Sequence, residues 1–411
     1  MEEVVSVSLR VRTGLDRLAT HSKLGADLRS AAGRVGLLAH PASVDRRLVH
    51  ARRVLDALGV EIAVVFGPEH GYGGEAQDMI GVSDARDALG TPIRSLYGES
   101  FEDLSPKPQD LAAIDVLVID LQDVGSRYYT FVWTAVLAMR ACARAGVRVV
   151  VLDRPNPIGG DPACIEGRRQ TREYCSFVGL EPVPVRHSLS LGEIVAWRAE
   201  VEGIPREAVG VLAVSGLDRG GHASEWDRPM VMPSPNMPSY ETALVYPGGC
   251  LVEGTNLSEG RGTTRPFEIV GAPWIDGQRL AADLHGLSLP GFRARPLTFQ
   301  PTFQKHAKQP CGGVQIHVTE PARFRPYATY LALVALARRQ DPDRFAFRTE
   351  PYEFVEDVPA FDLLTGSPEA RERIARGDPP AEVAAALSSV DDADRAVVMD
   401  AIEAGRQRAI G

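Results

Sequence analysis

Two short stretches of the chain carry residue types that could do chemistry. In the first, residues 67–71, Glu69 and His70 stand between glycine and proline residues that constrain the backbone. A carboxyl group held in this way can be partly desolvated, and desolvation raises a carboxyl pKa, which suits a general acid. Glu69 is therefore the leading candidate for a proton donor, against the alternative of a solvated turn residue. A lone histidine such as His70 is more often a hydrogen-bonded structural residue.

The second stretch, residues 253–262, combines carboxylate, amide, hydroxyl and guanidinium groups with three glycines. Glycine lets the backbone approach a ligand closely, and these polar groups suit a polyhydroxylated or anionic ligand. An ordinary surface loop is the alternative. Upstream, the prolines of residues 232–239 stiffen an extended path and would present an amide rigidly. The candidate ligand contacts from these two segments are Asn236, Glu253, Asn256, Glu259 and Arg261.

A βαβ rhythm predicts the elements that position these residues. Apolar runs over residues 34–39, 61–66, 115–121 and 147–152 are typical of strands. The third run shows no polar alternation, which indicates a strand buried on both faces. Helical patterns cover residues 46–58 and 131–145, and the second ends at Gly146, a natural C-terminal stop. The sequence therefore predicts an α/β fold with a mostly parallel sheet covered by helices.

The pattern changes after about residue 265. Strand-like runs at residues 292–299 and 313–318 alternate with helical segments at 326–339 and 381–405. We therefore expect a first domain over residues 1–265 and a smaller α+β domain over 266–411. Residues 154–190 and 215–265 are rich in proline and glycine, and such irregular stretches inside a compact protein tend to be functional loops.

In open parallel sheets, ligands bind beyond the carboxyl ends of the strands. Each of the four predicted strands ends in a polar cluster, so these clusters are expected to meet at one edge. The side chains predicted to converge there are Glu69, His70, Asp120, Asp123, Arg127 and Asp153. Asp120 and Asp123 could instead hold a metal, with His40 and His70 as further ligands, but no HxH, HExxH or DxD spacing supports it, and no metal is expected.

Composition and charge exclude several classes of protein. The 411 residues carry a net charge of −9, whereas a protein that binds the phosphates of nucleic acid normally has a basic excess. No window approaches 18 uninterrupted apolar residues, so neither a membrane span nor a membrane partner is expected. Residues 1–5 are acidic where a signal peptide is basic, which predicts a cytoplasmic protein unless a leader was removed.

Cofactor motifs are weak or missing. Residues 71–76 match G-x-G-x-x-A in letters, but the first glycine lies five residues past the strand and no clear helix follows, so NAD is rejected. There is no Walker lysine and no G-x-S-x-G elbow. The five cysteines lack zinc or CxxC spacing, which predicts free thiols. No cofactor is expected.

Several long motifs resemble those of the NamZ-type exo-β-N-acetylmuramidases, a family long catalogued as one of unknown function. The matching segments lie in order along the chain, at residues 66–71, 95–98, 115–130, 153–157, 233–238, 253–268, 271–274 and 299–303. One segment departs: residues 38–43 read Leu-Ala-His-Pro-Ala-Ser where an Asn-Pro-Thr-Gly-like loop is expected.

The resemblance implies a Rossmann-like N-terminal domain, a C-terminal auxiliary domain and a cleft between them. Such enzymes release a single N-acetylmuramic acid from the non-reducing end of peptidoglycan fragments such as MurNAc-β-1,4-GlcNAc. The implied partner is thus a small amino sugar, and association into a homo-oligomer is left open. Glu69 matches the glutamate proposed to be catalytic in the family.

Glycoside hydrolysis needs an acid for the leaving oxygen and a base or nucleophile at the anomeric carbon. With Glu69 as the acid, the partner stays open among Glu259, Glu253, Asp120 and the substrate's own 2-acetamido group. The acetamido route would need a side chain to orient that group, for which Asp123 or Tyr128 would serve.

Guanidinium groups bind carboxylates in a fork, so Arg127 and Arg261 are predicted to clamp the lactyl carboxylate of the sugar. Two other classes compete with the glycosidase hypothesis. One is a non-catalytic protein that senses cell-wall sugars, and the other is a metal-dependent hydrolase.

Overall fold

A computed structural model describes residues 10–30, 34–76 and 85–410. The acidic residues 1–5, on which the expectation of a cytoplasmic protein rests, lie outside the described residues. None of the helices in these three ranges is long and apolar enough to cross a membrane.

The larger sheet is built from seven strands of the N-terminal half. These are β1 (Val35–Ala39), β2 (Ile62–Gly67), β3 (Ala85–Arg86), β4 (Pro92–Ser95), β5 (Val116–Asp120), β6 (Arg148–Leu152) and β7 (Val209–Leu212). Their order is β3-β4-β2-β1-β5-β6-β7, and all neighbours are parallel except β3 and β4. Without the short antiparallel edge strand β3, this is the strand order of the doubly wound dinucleotide-binding fold.

The register of the central strands places their carboxyl ends on one edge. Leu38 pairs with Phe66 of β2, and Ala39 pairs with Asp120 of β5. All residues of β1 and β5 are buried, as the uninterrupted apolar runs indicate. The four predicted strands and the parallel sheet are confirmed. The short strands β4 and β7 had not been predicted.

In the described residues, the helices that accompany this sheet are α1 (Gly14–Leu18), α2 (Ser22–Ser30), α3 (Ala51–Ala57), α4 (Pro108–Leu111), α5 (Phe131–Ala145), α6 (Leu191–Val201) and α7 (Tyr240–Gly249). The bounds of α5 are as predicted, and Gly146 ends it with a φ of 72°. The helix predicted over residues 46–58 begins later because the Asp45 carboxylate accepts the N–H groups of Arg47 and Val49 in a turn. Helix α7 lies within residues 215–265, where an irregular loop was predicted.

The smaller C-terminal part has an antiparallel sheet in the order β8-β10-β9, made of β8 (Ile269–Ala272), β9 (Phe292–Phe299) and β10 (Cys311–Val318). Its helices are α8 (Gly277–Gly286), α9 (Pro326–Gln340), α10 (Ala360–Thr365), α11 (Glu369–Arg376), α12 (Pro380–Ser388) and α13 (Asp392–Gln407). The prediction that most of residues 381–405 is helical is confirmed, with α12 and α13 covering it. The α/β fold with a smaller α+β part is confirmed.

The two parts are joined by more than the connecting chain. The buried Glu166 carboxylate accepts the first-turn N–H groups of Tyr327 and Ala328, at 3.3 and 2.7 Å, and so caps α9. Helix α13 packs on α6, and the Ile410 N–H donates to the carbonyl of Val211 in β7. The end of the described chain thus lies against the larger sheet, while the division at residue 265 stays a prediction.

Candidate active site

One pocket is lined by residues of both candidate stretches, 67–71 and 253–262. Glu69 and His70 follow β2, Glu253 and Arg261 follow α7, and a third wall comes from the C-terminal part. The pocket has a free interior of about 50 Å³ within about 520 Å³ of space that includes its mouth. Its lining residues are Glu69, His70, Tyr128, Tyr129, Thr130, Phe131, Val178, Ser234, Asn236, Met237, Tyr246, Glu253, Arg261, Phe267, Tyr352 and Glu353.

Glu69 is presented by a turn that only a particular backbone path allows. A side chain at Gly67 would place its Cβ 2.3 Å from the backbone nitrogen of Tyr72, so the turn folds tightly over this position. Glu69 is 6% exposed, and its Oε2 accepts a hydrogen bond of 2.6 Å from the hydroxyl of Thr130, just before α5. A nearly buried carboxyl group with one oriented oxygen suits proton donation.

His70 lies next to Glu69 in a left-handed conformation with a φ of 67°. Its Nδ1 is 2.8 Å from the carbonyl oxygen of Ala76, so Nδ1–H donates to that oxygen. The ring lies edge-on to Phe131 at a centroid distance of 6.3 Å. His70 therefore lines the pocket with an orientation fixed by its own turn, and such left-handed strain at a non-glycine residue is typical of functional sites.

A chain of buried charges forms the wall opposite. Arg261 Nη1 donates to Glu253 Oε1 at 2.7 Å and lies 3.6 Å from Glu259 Oε1. The Tyr352 hydroxyl donates to the other oxygen of Glu253 at 2.6 Å, so both carboxylate oxygens of Glu253 are engaged. The Arg261 guanidinium also lies over the Phe267 ring, 5.1 Å from its centroid. Arg261 is thus held rigidly with its cation at the pocket.

Glu259 does not line the pocket and lies behind Arg261. Its Oε2 accepts from Lys305 Nζ at 2.9 Å, and only 2% of the residue is exposed. Burial alone would raise the pKa of the Glu259 carboxyl, but the Lys305 and Arg261 cations together hold that pKa below its usual value. Its placement supports a role in holding Arg261 rather than contact with a substrate.

Tyr128 supplies a hydroxyl to the aromatic side of the pocket. The residue is 1% exposed, and its hydroxyl oxygen has no hydrogen-bond partner within the described part of the chain. Burial raises the pKa of Tyr128 well above its usual value, so the group stays a neutral donor. A buried hydroxyl on a pocket wall can donate to a polar group of a ligand bound there.

Asp120 is placed away from the pocket, contrary to its predicted catalytic role. Its carboxylate is fully buried and accepts two hydrogen bonds from Arg154, at 2.5 Å from Nε and 2.9 Å from Nη2. Arg154 also donates to the carbonyl of Val44. The carboxylate and guanidinium thus satisfy each other inside the fold, which leaves Asp120 no access to a substrate.

Arg127, predicted to bind the lactyl carboxylate, also lies outside the pocket. Its guanidinium is fully buried and donates to the carbonyl oxygens of Arg168, Val183 and Leu364, at 2.9, 3.1 and 2.7 Å. These carbonyls belong to an irregular segment and to α10. Arg127 therefore joins distant backbone segments, and the predicted carboxylate clamp is reduced to Arg261.

Asp123 and Asn256 do not line the pocket and contact other parts of the fold. Asp123 Oδ2 accepts the Gly125 N–H at 2.7 Å and lies 3.5 Å from His187 Nε2. The Asn256 amide donates to the Arg344 carbonyl at 2.7 Å and accepts the Ala346 N–H at 2.9 Å. Of the residues predicted to bind substrate, the pocket is lined by His70, Tyr128, Asn236, Glu253 and Arg261.

Asp153, also predicted to converge on the sheet edge, supports the start of α6. Its carboxylate oxygens accept from the Ser190 hydroxyl and the Gly192 N–H, at 2.7 and 2.8 Å. Burial raises the pKa of Asp153 to about 7, and the nearby carboxylate of Glu193 acts in the same direction. The raised pKa of Asp153 therefore reflects its buried structural place at the start of α6 and does not indicate a catalytic role.

The ligand set considered for a metal does not assemble. His40 Nε2 accepts the Gln122 N–H at 2.9 Å, so the ring proton is on Nδ1, which donates to the Pro233 carbonyl at 3.1 Å. Burial lowers the pKa of His40 to about 3, which keeps the ring neutral. Within the described ranges, no group of three or more His, Cys, Asp or Glu side chains is arranged to hold a metal.

No local signal in the sequence indicates the pocket residues that the C-terminal part contributes. Tyr352 and Glu353 lie on a tight turn closed by two hydrogen bonds between Tyr352 and Val355, and the Tyr97 hydroxyl donates to Glu353 at 3.1 Å. The turn places Glu353 and Phe354 at φ values of 47° and 67°. Asn-Gly is usual in such turns, so this sequence carries no turn signal. Lys305 and Thr130 were missed because the carboxylates that they contact, Glu259 and Glu69, lie far away along the chain.

Comparisons with known proteins agree with this architecture. Residues 35–241 match a family model described as exo-beta-N-acetylmuramidase NamZ, N-terminal, and residues 244–393 match the corresponding C-terminal model. A Bacillus subtilis (strain 168) protein named peptidoglycan beta-N-acetylmuramidase NamZ is 38% identical over 371 residues, which are 90% of this chain and 85% of the relative.

Two solved structures have the same fold, both of DUF1343 family proteins from Bacteroides fragilis NCTC 9343. The first superposes with a TM-score of 0.82 at 28% identity and covers 97% of this chain and 98% of its own. The second has a TM-score of 0.71 at 24% identity and covers 96% and 98%. The likeness therefore extends over both sheets.

Proposed function

Since the chain belongs to the NamZ family of exo-β-N-acetylmuramidases, we propose that it is a glycoside hydrolase that releases N-acetylmuramic acid from the non-reducing end of peptidoglycan-derived fragments. The observation that carries this proposal is the arrangement of one pocket, in which the buried Glu69 carboxyl group and the Arg261 cation face the same small space. An acid for the glycosidic oxygen and a cation for the lactyl carboxylate are the two groups that this substrate requires.

Glu69 is the general acid in this mechanism. The Thr130 hydroxyl engages Oε2, which orients the carboxyl group and leaves Oε1 to carry the proton to the leaving oxygen. The glycosidic C–O bond breaks as that proton is transferred, and the positive charge that develops at the anomeric carbon must then be met by a second group.

The second group comes from Glu353, Glu253 or the substrate itself. Glu253 and Glu353 line the pocket, whereas Glu259 and Asp120 lie outside it. Arg261 and Tyr352 engage both oxygens of Glu253, and the Tyr97 hydroxyl donates to Glu353, so the two carboxylates stand as alternatives. In the alternative, the 2-acetamido group attacks the anomeric carbon, and the buried Tyr128 hydroxyl is the donor that orients it.

Arg261 is the proposed site for the lactyl carboxylate, which distinguishes N-acetylmuramic acid from N-acetylglucosamine. Its Nη1 donates to Glu253, and its guanidinium lies over the Phe267 ring, 5.1 Å from the centroid. Asn236 and Tyr128 also line the pocket and carry hydrogen-bonding groups that suit a sugar. Association with other copies and the cytoplasmic location stay predictions.

The test is hydrolysis of a chromogenic β-N-acetylmuraminide, measured with and without a chelator and compared with the N-acetylglucosaminide. We expect turnover of the muraminide alone, unaffected by the chelator. Binding of the sugar without turnover would indicate a sensing protein instead, and loss of activity with the chelator would indicate a metal-dependent hydrolase.

A further inference from the structure

We propose that Lys305, behind the pocket wall, is a positioning residue that keeps Arg261 directed at the pocket and thereby sets the preference for a carboxylate-bearing sugar. This inference rests on the proposed function, because it concerns the same pocket. Lys305 does not line the pocket, so it acts through Glu259 and Arg261.

The ammonium group of Lys305 is fully used in this position. It donates to Glu259 Oε2 at 2.9 Å and to the carbonyl oxygens of Val252 and Glu253 at 3.0 and 3.3 Å. The two carbonyls belong to the 3₁₀ turn Cys250–Gly254, which carries the Glu253 side chain into the pocket. The Lys305 ammonium group therefore holds both the Glu259 carboxylate and the backbone of the turn that carries Glu253.

The loop that carries Lys305 has an unusual conformation. Gln304, His306 and Lys308 have φ values of 66°, 57° and 63°, in the left-handed region that non-glycine residues disfavour. The loop is fastened to the 253–262 stretch by His306 Nε2, 2.7 Å from the Asn256 carbonyl oxygen. Such strain persists only where the surrounding structure over-determines it, and it is concentrated at functional sites.

Arg261 has two carboxylates competing for it. Glu253 holds Nη1 at 2.7 Å on the pocket side, and Glu259 lies at 3.6 Å on the far side. Lys305 compensates the charge of Glu259, whose pKa is held low by the two cations, and so weakens its pull on the guanidinium. Without Lys305, Glu259 would be a buried carboxylate with Arg261 as its remaining close cation, and it would draw Arg261 away from the pocket.

Lys305 also adds one positive charge behind the place proposed for the lactyl carboxylate. Charges near a partly buried site interact more strongly than in water, so a cation next to the turn that carries Glu253 favours an anionic ligand over a neutral one. Removing it should therefore weaken binding of the carboxylate substrate selectively.

The experiment compares kcat and KM of wild type and Lys305→Met on two substrates, the chromogenic β-N-acetylmuraminide and its lactyl amide, which lacks the negative charge. We expect KM for the carboxylate substrate to rise about tenfold with little change in kcat, and KM for the amide to change less than about twofold. Lys305→Arg should recover most of the loss. The control is Lys308→Met, an exposed position of the same loop.

A double variant separates positioning from general damage to the fold. In Lys305→Met/Glu259→Gln the competing carboxylate is also removed, so KM for the carboxylate substrate should return towards the wild-type value. Equal losses on both substrates, or no recovery in a double variant that circular dichroism shows to be folded, would overturn the proposal. If wild type hydrolyses neither substrate, the proposed function fails instead.

Discussion

Two buried polar clusters lie at the same edge of the larger sheet, and they differ in what satisfies them. The strand order reverses between β1 and β5, which is where folds of this kind usually bind a ligand. At that place the Asp120 carboxylate accepts two hydrogen bonds from Arg154, and both ring nitrogens of His40 have backbone partners. Beyond β2, Glu69 and Arg261 face a pocket, beside a Tyr128 hydroxyl that has no partner in the described ranges. The first cluster is closed and structural, and the second is open to a ligand.

The difference teaches that residue type and position on the sheet edge do not by themselves identify a site. What distinguishes the two clusters is whether the rest of the chain already supplies each polar group with a partner. Substitutions of similar chemistry should therefore have opposite consequences. In the open cluster they should reduce activity and leave the fold intact, and in the closed cluster they should reduce stability and leave the reaction intact.

The largest effect is expected at the open cluster. Glu69→Gln keeps the shape of the side chain but removes the proton that the leaving oxygen needs, so kcat should fall by about 10³-fold. Thermal unfolding should be almost unchanged. The control is Glu75→Gln, an exposed position downstream of the same turn. A near-wild-type rate in Glu69→Gln would exclude Glu69 as the acid.

The closed cluster should respond in its stability. Asp120→Asn removes one partner of a fully buried ion pair and leaves the Arg154 charge uncompensated, which costs about 3–5 kcal/mol of unfolding free energy. Denaturant unfolding measures that loss, and kcat of the folded protein should stay close to wild type. A large fall in kcat with unchanged stability would return Asp120 to the reaction.

A substitution of Glu353 tests whether the open cluster includes a reacting group from the C-terminal part. If it meets the charge at the anomeric carbon, Glu353→Gln should lower kcat by about 10²-fold and remove one limb of the pH–rate profile. The matched control is Glu350→Gln, three residues earlier and exposed. A change confined to thermal stability would make Glu353 a purely structural partner of Tyr97.

The smallest effect is a pH dependence of stability at the Asp153 position. Because burial raises the pKa of Asp153 to about 7 in the folded state, the folded protein binds more protons than the unfolded chain between pH 3.8 and 7. Stability contributed by this group therefore falls as pH rises through that window. Asp153→Asn should reduce the fall by at least about 1 kcal/mol in unfolding experiments at pH 4 and 7. Parallel curves for variant and wild type would contradict this.

Much of the larger sheet could be predicted from the sequence because its signals are local. The buried strands β1, β2, β5 and β6 and the largely buried helix α5 follow from apolar runs and a terminal glycine, and Glu69 follows from its place after β2. Helix α7 was missed because Pro247 and the two glycines after it are typical of loops, although the whole segment from Thr242 onward is buried. Here burial overrides local propensity.

The remaining errors at the site come from partners that are distant along the chain. Asp120 appeared catalytic because nothing near it in sequence indicates that Arg154 neutralises it. Lys305 and Glu353 reach the site from loops with left-handed residues, whose conformation is imposed by tertiary contacts. Sequence patterns record which groups can ionise, whereas the three-dimensional contacts decide which of them are left for a ligand.

The packing of the chain's last described turn on the larger sheet has a consequence for folding kinetics. Arg408 is 4% exposed and donates to the carbonyl oxygens of Ile204, Pro205 and Val209, while Ile410 binds Val211, which precedes it by 199 residues (410 − 211). At about 5–20 residues per second, a ribosome needs roughly 10–40 s to reach residue 410 from residue 211. The edge at β7 is therefore uncovered during synthesis, a window in which a chaperone or a neighbouring nascent chain can bind it.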